Sequence, residues 1–163
     1  MNGAGVYLAE VKERFSSLDY PVSPCSEEEI AALESRLGFS LPVAYREFLA
    51  WMGRRAEGFM VGTDFYYAEL WDAREYAVEL LRENDAPEAL PKDAVIILLH
   101  QGYTFAFIRA GEGDDPPVYF YTESQNDDRF TRVSPHYSDY LQSLLERHLD
   151  YVKEFGSVSP ELE

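Results

Sequence analysis

Between residues 26 and 53 apolar positions recur at three- and four-residue spacing, stop at a glycine, and resume after a proline. Ile30, Leu33 and Leu37 share one helical face, flanked by Ala31 and Ala32, while Glu27, Glu28, Ser35 and Arg36 point elsewhere. Ser26 and Glu29 have the spacing of a capping box. There the serine hydroxyl accepts from an amide three residues on, and the glutamate reaches back to the serine amide. Gly38 stands where a helix ends by turning left-handed, which only glycine does cheaply. Leu41-Pro42 opens the next helix, because proline suits a first turn whose N–H has no partner. Tyr45, Phe48, Leu49 and Met52 form its apolar face, and Gly53 is a second stop signal. The stretch predicts two helices joined by a tight corner.

The same periodicities organise the flanks. Leu8, Val11, Phe15 and Leu18 predict a first helix over 4–18, ended by a stiff connector at 19–24 that carries two prolines. Residues 54–58 read as a polar turn, and 59–67 (FMVGTDFYY) as an irregular strand leading into a loop. A helix is expected over 69–84, with Leu70, Ala73, Tyr76, Ala77, Leu80 and Leu81 inward. The run AVIILL at 94–99 is continuously apolar and of strand length, as in a strand buried on both faces. A turn at 100–102 and a partner strand at 103–109 make an antiparallel hairpin. Residues 111–117 hold three of the chain's acids together with glycines and prolines, and so form a turn. Strands follow at 118–122 and, more briefly, at 129–133. Ser134-Pro135 and Ser138 are start signals for a last helix reaching about residue 153, with Leu141, Leu144, Leu145, Leu149 and Val152 inward. Helices, then a meander of strands, then a closing helix predict an α+β fold, with an antiparallel sheet of about four to six strands packed against helices. The expected organisation is one domain over 1–156 and a flexible tail over 157–163.

Composition sharpens the picture in one respect. Thirty acids against 14 bases give a formal charge of −16. Such a field repels nucleic acid and anionic membranes and attracts basic proteins, whose approach it steers. The remaining signals narrow the setting. An apolar share of 46% places the chain among folded proteins. Its single cysteine, Cys25, forbids an internal disulfide. The first residues carry charges every few positions, unlike a signal peptide, and no apolar run is long enough to span a bilayer. The expected location is the cytoplasm.

The helix pair also carries a likeness. Glu28-Glu29-Ile30, Leu33-Glu34, Leu37-Gly38, Leu41-Pro42, Tyr45-Arg46-Glu47-Phe48-Leu49 and Gly53 together resemble the SUKH superfamily, which takes part of its name from a yeast cell-wall-assembly regulator. The second Leu-Pro at Leu90-Pro91, the turn at Gly102, Pro117-Val118-Tyr119 and Ser138-Asp139-Tyr140-Leu141 extend the likeness over roughly residues 5–150. The resemblance implies a SUKH-like fold. It also implies the role that bacterial members resemble: an immunity partner that binds and blocks a toxin domain of a polymorphic or contact-dependent system, often one acting on nucleic acid. These motif positions are caps, stops and core faces, so they identify a fold before a function.

No catalytic signature accompanies them. Three histidines, His100, His136 and His148, stand outside any HExxH spacing, and one cysteine excludes a cysteine-rich zinc site. GxSxG, GxGxxG and P-loop patterns are lacking. No catalytic residue, metal or cofactor is expected, and the protein is not read as an enzyme. Candidate partner-binding residues are acids and aromatics in two loop clusters: Asp64, Tyr66, Tyr67, Glu69 and Asp72, then Asp114, Asp115, Glu123, Asp127 and Asp128. Carboxylates there would meet lysines and arginines, and tyrosines would supply rigid contact area. The expected partner is a basic protein toxin domain, with no nucleic acid or membrane contacted directly and the chain a monomer or weak dimer. Two other classes stay open: a non-catalytic scaffold for an endogenous protein, and a small hydrolase using paired carboxylates.

Overall fold

A computed structural model describes residues 6–156. Its α-helices are α1 (Ala9–Phe15), α2 (Glu27–Leu37), α3 (Val43–Met52), α4 (Ala73–Glu83) and α5 (Tyr137–Phe155). Four strands, β3 (Ala94–His100), β4 (Thr104–Arg109), β5 (Val118–Thr122) and β6 (Thr131–Ser134), form an antiparallel meander in sequence order. A two-stranded ribbon pairs β1 (Val22–Ser23) with β2 (Arg55–Ala56). The architecture is the expected α+β fold.

The sheet is covered on both faces, which explains the unbroken apolar run of β3. Val95, Ile97, Leu98, Ala106, Ile108 and Val118 join the main core beneath α1, α3 and α5. Ala94, Ile96, Phe105, Phe107 and Tyr121 face the other way, against Ala73, Ala77, Leu80 and Leu81 of α4. Strict alternation would place Ile96 and Leu98 together. An irregularity in the β3–β4 register between those two residues moves Leu98 to the main core. At the hairpin tip Gln101 and Gly102 both have positive φ, 54° and 78°, as a tight turn between twisted strands requires.

The central pair forms as its spacing predicts. The Ser26 side chain accepts the Glu29 amide, the Glu29 carboxylate accepts the Ser26 amide, and Gly38 turns left-handed at φ 89°. Gly53 differs. Its φ is −61°, an ordinary helical value, so it is not a left-handed stop. A Cβ there would lie 2.7 Å from the Cys25 sulfur and 2.6 Å from the Leu49 carbonyl oxygen, so glycine is required by close approach.

Several boundaries shift for local reasons. Residues 59–67 are not a strand: Met60 and Gly62 take positive φ, and only Asp64 pairs, through an isolated bridge to Leu99. Phe59 and Phe65 are instead buried anchors of a turn-rich loop. The connector at 19–24 and the turn at 54–58 pair with each other, a long-range contact that local pattern does not reveal. The fourth helix starts at Ala73 rather than 69, because the Glu69 carboxylate accepts the amides of Phe65 and Tyr66 and closes a separate turn. Tyr76 leaves its expected inward position and is 68% exposed. The last helix is capped at His136 and not Ser138, whose amide and hydroxyl instead bind the Asp115 carboxylate at 2.8 and 2.6 Å. The expected tail at 157–163 lies outside the described residues.

Candidate functional site

Helix α4 buries one face through Ala73, Ala77, Leu80 and Leu81, at i, i+4, i+7 and i+8. The flank next to Leu80 presents Tyr76, Glu79 and Glu83. These side chains form one wall of a groove of about 650 Å³. Asp64, Glu69 and Asp72 line it from the preceding loop, and Leu99, Gly102 and Thr104 from the β3–β4 hairpin. The loop is fixed in place by reciprocal backbone hydrogen bonds of 2.9 Å between Asp64 and Leu99. The groove thus has five carboxylates, one exposed tyrosine and an apolar strip.

Its acids differ in how far they are neutralised. Asp72 accepts Arg36 at 2.7 Å, and Glu79 accepts Arg82 at 2.7 Å. Among the described residues Asp64, Glu69 and Glu83 enter no ion pair. Partial desolvation at the groove wall, then the Glu69 carboxylate beside it, push the Asp64 carboxyl above its ordinary range. That is how a group behaves when it lacks a cation.

The first predicted cluster is therefore brought together in part. Asp64, Glu69 and Asp72 share the groove, although Glu69 also holds two backbone amides. Tyr66 belongs to the core: it is 3% exposed, and its hydroxyl donates to the Phe59 and Ala56 carbonyls at 2.7 and 3.3 Å. It offers no contact area, because an aromatic ring in a Phe- and Tyr-rich loop anchors that loop before it faces solvent. Tyr67 is half-buried and donates to the Glu29 carbonyl at 2.8 Å, tying the loop to α2.

The second cluster is divided. Asp115 caps the start of α5, and its carbonyl accepts from His136 Nδ1 at 2.7 Å. Asp114 receives the Ala44 amide on its carbonyl at 2.9 Å and the Tyr7 hydroxyl on its carboxylate at 3.3 Å. Asp128 accepts the Tyr121 hydroxyl and the Ser124 amide inside the β5–β6 turn. Asp127 is exposed in that turn with φ 55°. Glu123 accepts from Asn84, the residue after α4, at 3.2 Å. Sequence reasoning missed Tyr76, Glu79 and Glu83. The signal was available in the four-residue step from Asp72 to Tyr76 and the seven-residue step from Tyr76 to Glu83, along the flank of the leucine face.

Elsewhere the titratable groups serve the fold. Cys25 is 6% exposed, and burial, then Glu29, push its thiol up to about 11, with Arg54 opposing. His100 lies within 3.0 Å of the Thr63 hydroxyl, and His148 within 2.9 Å of the Tyr20 hydroxyl, both in the interior. Among the described residues no three metal-ligating side chains cluster, and no helix is long and apolar enough to cross a membrane.

No curated protein matches the chain closely enough to serve as a relative. The helix pair, the meander and the start of α5, which span residues 24–143, match the SMI1/KNR4 family (SUKH-1), and the chain belongs to that family.

Proposed function

We propose that this protein is an immunity protein: it binds a basic toxin domain and neutralises it without chemistry of its own. Membership of the SMI1/KNR4 family supports a protein partner. The observation that carries the reading is the groove beside α4, where Asp64, Glu69 and Glu83 are left without an ion pair among the described residues. Carboxylates next to an exposed tyrosine match the lysines and arginines of a surface built for phosphates. Tyr76, Glu79 and Glu83 come from a rigid helix, so the surface is formed before the partner arrives. In this reading the groove is the contact, and Asp114, Asp115, Asp127 and Asp128 contribute field rather than contact.

The test is co-expression with the toxin domain encoded next to this gene. Growth should be rescued, and the two proteins should co-purify. Asp64→Lys combined with Glu83→Lys should abolish both effects while leaving the fold intact, since neither side chain holds a partner among the described residues. A wild-type chain that neither rescues nor binds would sink the proposal and favour a scaffold for an endogenous protein.

A further inference from the structure

On the far side of the central pair, α2 and α3 diverge to leave a second groove of about 340 Å³. Its apolar lining comes from half-buried Ile30 and Val43 and from exposed Ala31 and Ala50. Glu47 sits on the same α3 face, four residues after Val43 and three before Ala50. It is 6% exposed. Its Oε1 accepts the Tyr7 amide at 2.9 Å, whereas its Oε2 is buried and has no hydrogen-bond partner among the described residues. A buried carboxylate oxygen left unpaired is unfavourable, and native proteins seldom keep one without a use.

The neighbouring charges do not supply the missing partner. Arg46 turns to the Leu41 carbonyl at 3.3 Å and lies 3.7 Å from Glu34. Glu34 in turn accepts the Leu41 amide at 2.8 Å. Glu27, in the first turn of α2, is exposed at the rim. The groove therefore offers a shallow apolar lining, a rim of Glu27, Glu34 and the Glu34-paired Arg46, and one buried acceptor on Glu47.

We propose that this groove receives a lysine side chain from a bound protein. Its methylene stem lies along Ile30, Ala31, Val43 and Ala50, and an outward turn of the Glu47 side chain brings Oε2 to its ammonium. A long aliphatic stem with a charged tip suits such a trough. Lysine fits better than arginine because a single free oxygen matches a point charge. A guanidinium fork wants both oxygens, and Oε1 is already held by Tyr7. Only the identity of the protein that supplies the lysine rests on the toxin-binding proposal; the chemistry of the groove does not.

The full chain, labelled with nitrogen-15, is titrated with Nα-acetyl-lysine methylamide and followed by amide shifts. Weak saturable binding is expected, with shifts confined to residues 27–34 and 43–50. The norleucine analogue should not bind, and the arginine analogue should bind several-fold more weakly. Glu47→Gln keeps an acceptor for Tyr7 and should weaken lysine binding at least about fivefold. Ala50→Phe keeps Glu47, fills the trough and should have the same effect, which covers the case of a Glu47 variant that folds poorly. Shifts spread evenly over the acidic surface, or unchanged binding in both variants, would overturn the proposal. If lysine binds as expected but the toxin domain does not, the groove stands and the immunity proposal falls.

Discussion

At the scale of single residues, position 53 shows how tightly α3 is tied to the segment before α2. The Leu49 carbonyl accepts both the Gly53 amide at 3.0 Å and the Cys25 amide at 2.8 Å, and the Cys25 sulfur fills the space where a side chain would stand. Gly53→Ala should therefore destabilise the protein by about 1–3 kcal/mol, as overpacking of a filled interior does, with the loss read from urea unfolding. The Cys25 thiol should be inert to a thiol reagent at pH 8 in the native protein and react on unfolding, because the thiolate is the reactive form. Its titration has a definite sign. The unfolded thiol ionises near 9.0 and the folded one near 11. The folded state thus holds its proton more firmly, and this contribution to stability is whole below pH 9 and lost as pH rises toward 11. Asp64 makes a matching statement about the groove. Its carboxyl is raised, so a partner's cation must favour ionisation and bring it down. Association should release protons, and affinity should fall as pH is lowered through the raised range of Asp64. Calorimetry in buffers of different ionisation enthalpy would show it. No proton release would argue against a cation at Asp64.

At the scale of elements, the start of α2 is a junction more than a cap. Glu29 accepts the Ser26 amide at 2.9 Å and also receives Arg54 at 2.8 Å, beside β2. Hydrogen bonding from Arg54 first, then from the Ser26 amide, holds the Glu29 carboxyl below its ordinary range. That stabilisation is present above the ordinary glutamate pKa and is lost as pH falls through the depressed one. Ser26→Ala should cost about 1 kcal/mol at neutral pH, the usual worth of such a cap. Glu29→Gln should also remove this residue's own share of the acid sensitivity, and a variant whose stability follows the wild-type pH curve would refute that role. The cap was legible from the spacing of Ser26 and Glu29, since both groups belong to one turn. The Arg54 clamp was not, because it depends on the β1–β2 ribbon returning next to α2.

At the scale of the whole molecule, charge decides the approach and geometry decides the fit. The chain carries −16, yet its acids are used unevenly: Asp93 pairs with Arg109 and Glu146 with Arg14, while Asp64 and Glu83 keep their charge beside the groove. A basic partner should associate more slowly as salt rises, with dissociation changing far less, because screening acts on long-range encounter. Stopped-flow association at several ionic strengths checks this; a salt-insensitive on-rate would contradict steering.

Local sequence determined the order of the five helices and the four-stranded meander, the two-sided burial of β3, the capping box and the excess of acid, because each is written within one turn, one strand or the composition. Only the tertiary structure decided which acids lie together. It placed Asp64 and Glu69 opposite Glu79 and Glu83, took Tyr66 into the core, set Asp115 to capping α5, and left Glu47 with a buried oxygen unmatched. The physical reason is that a carboxylate is free or engaged according to the amides and cations that a distant segment brings to it.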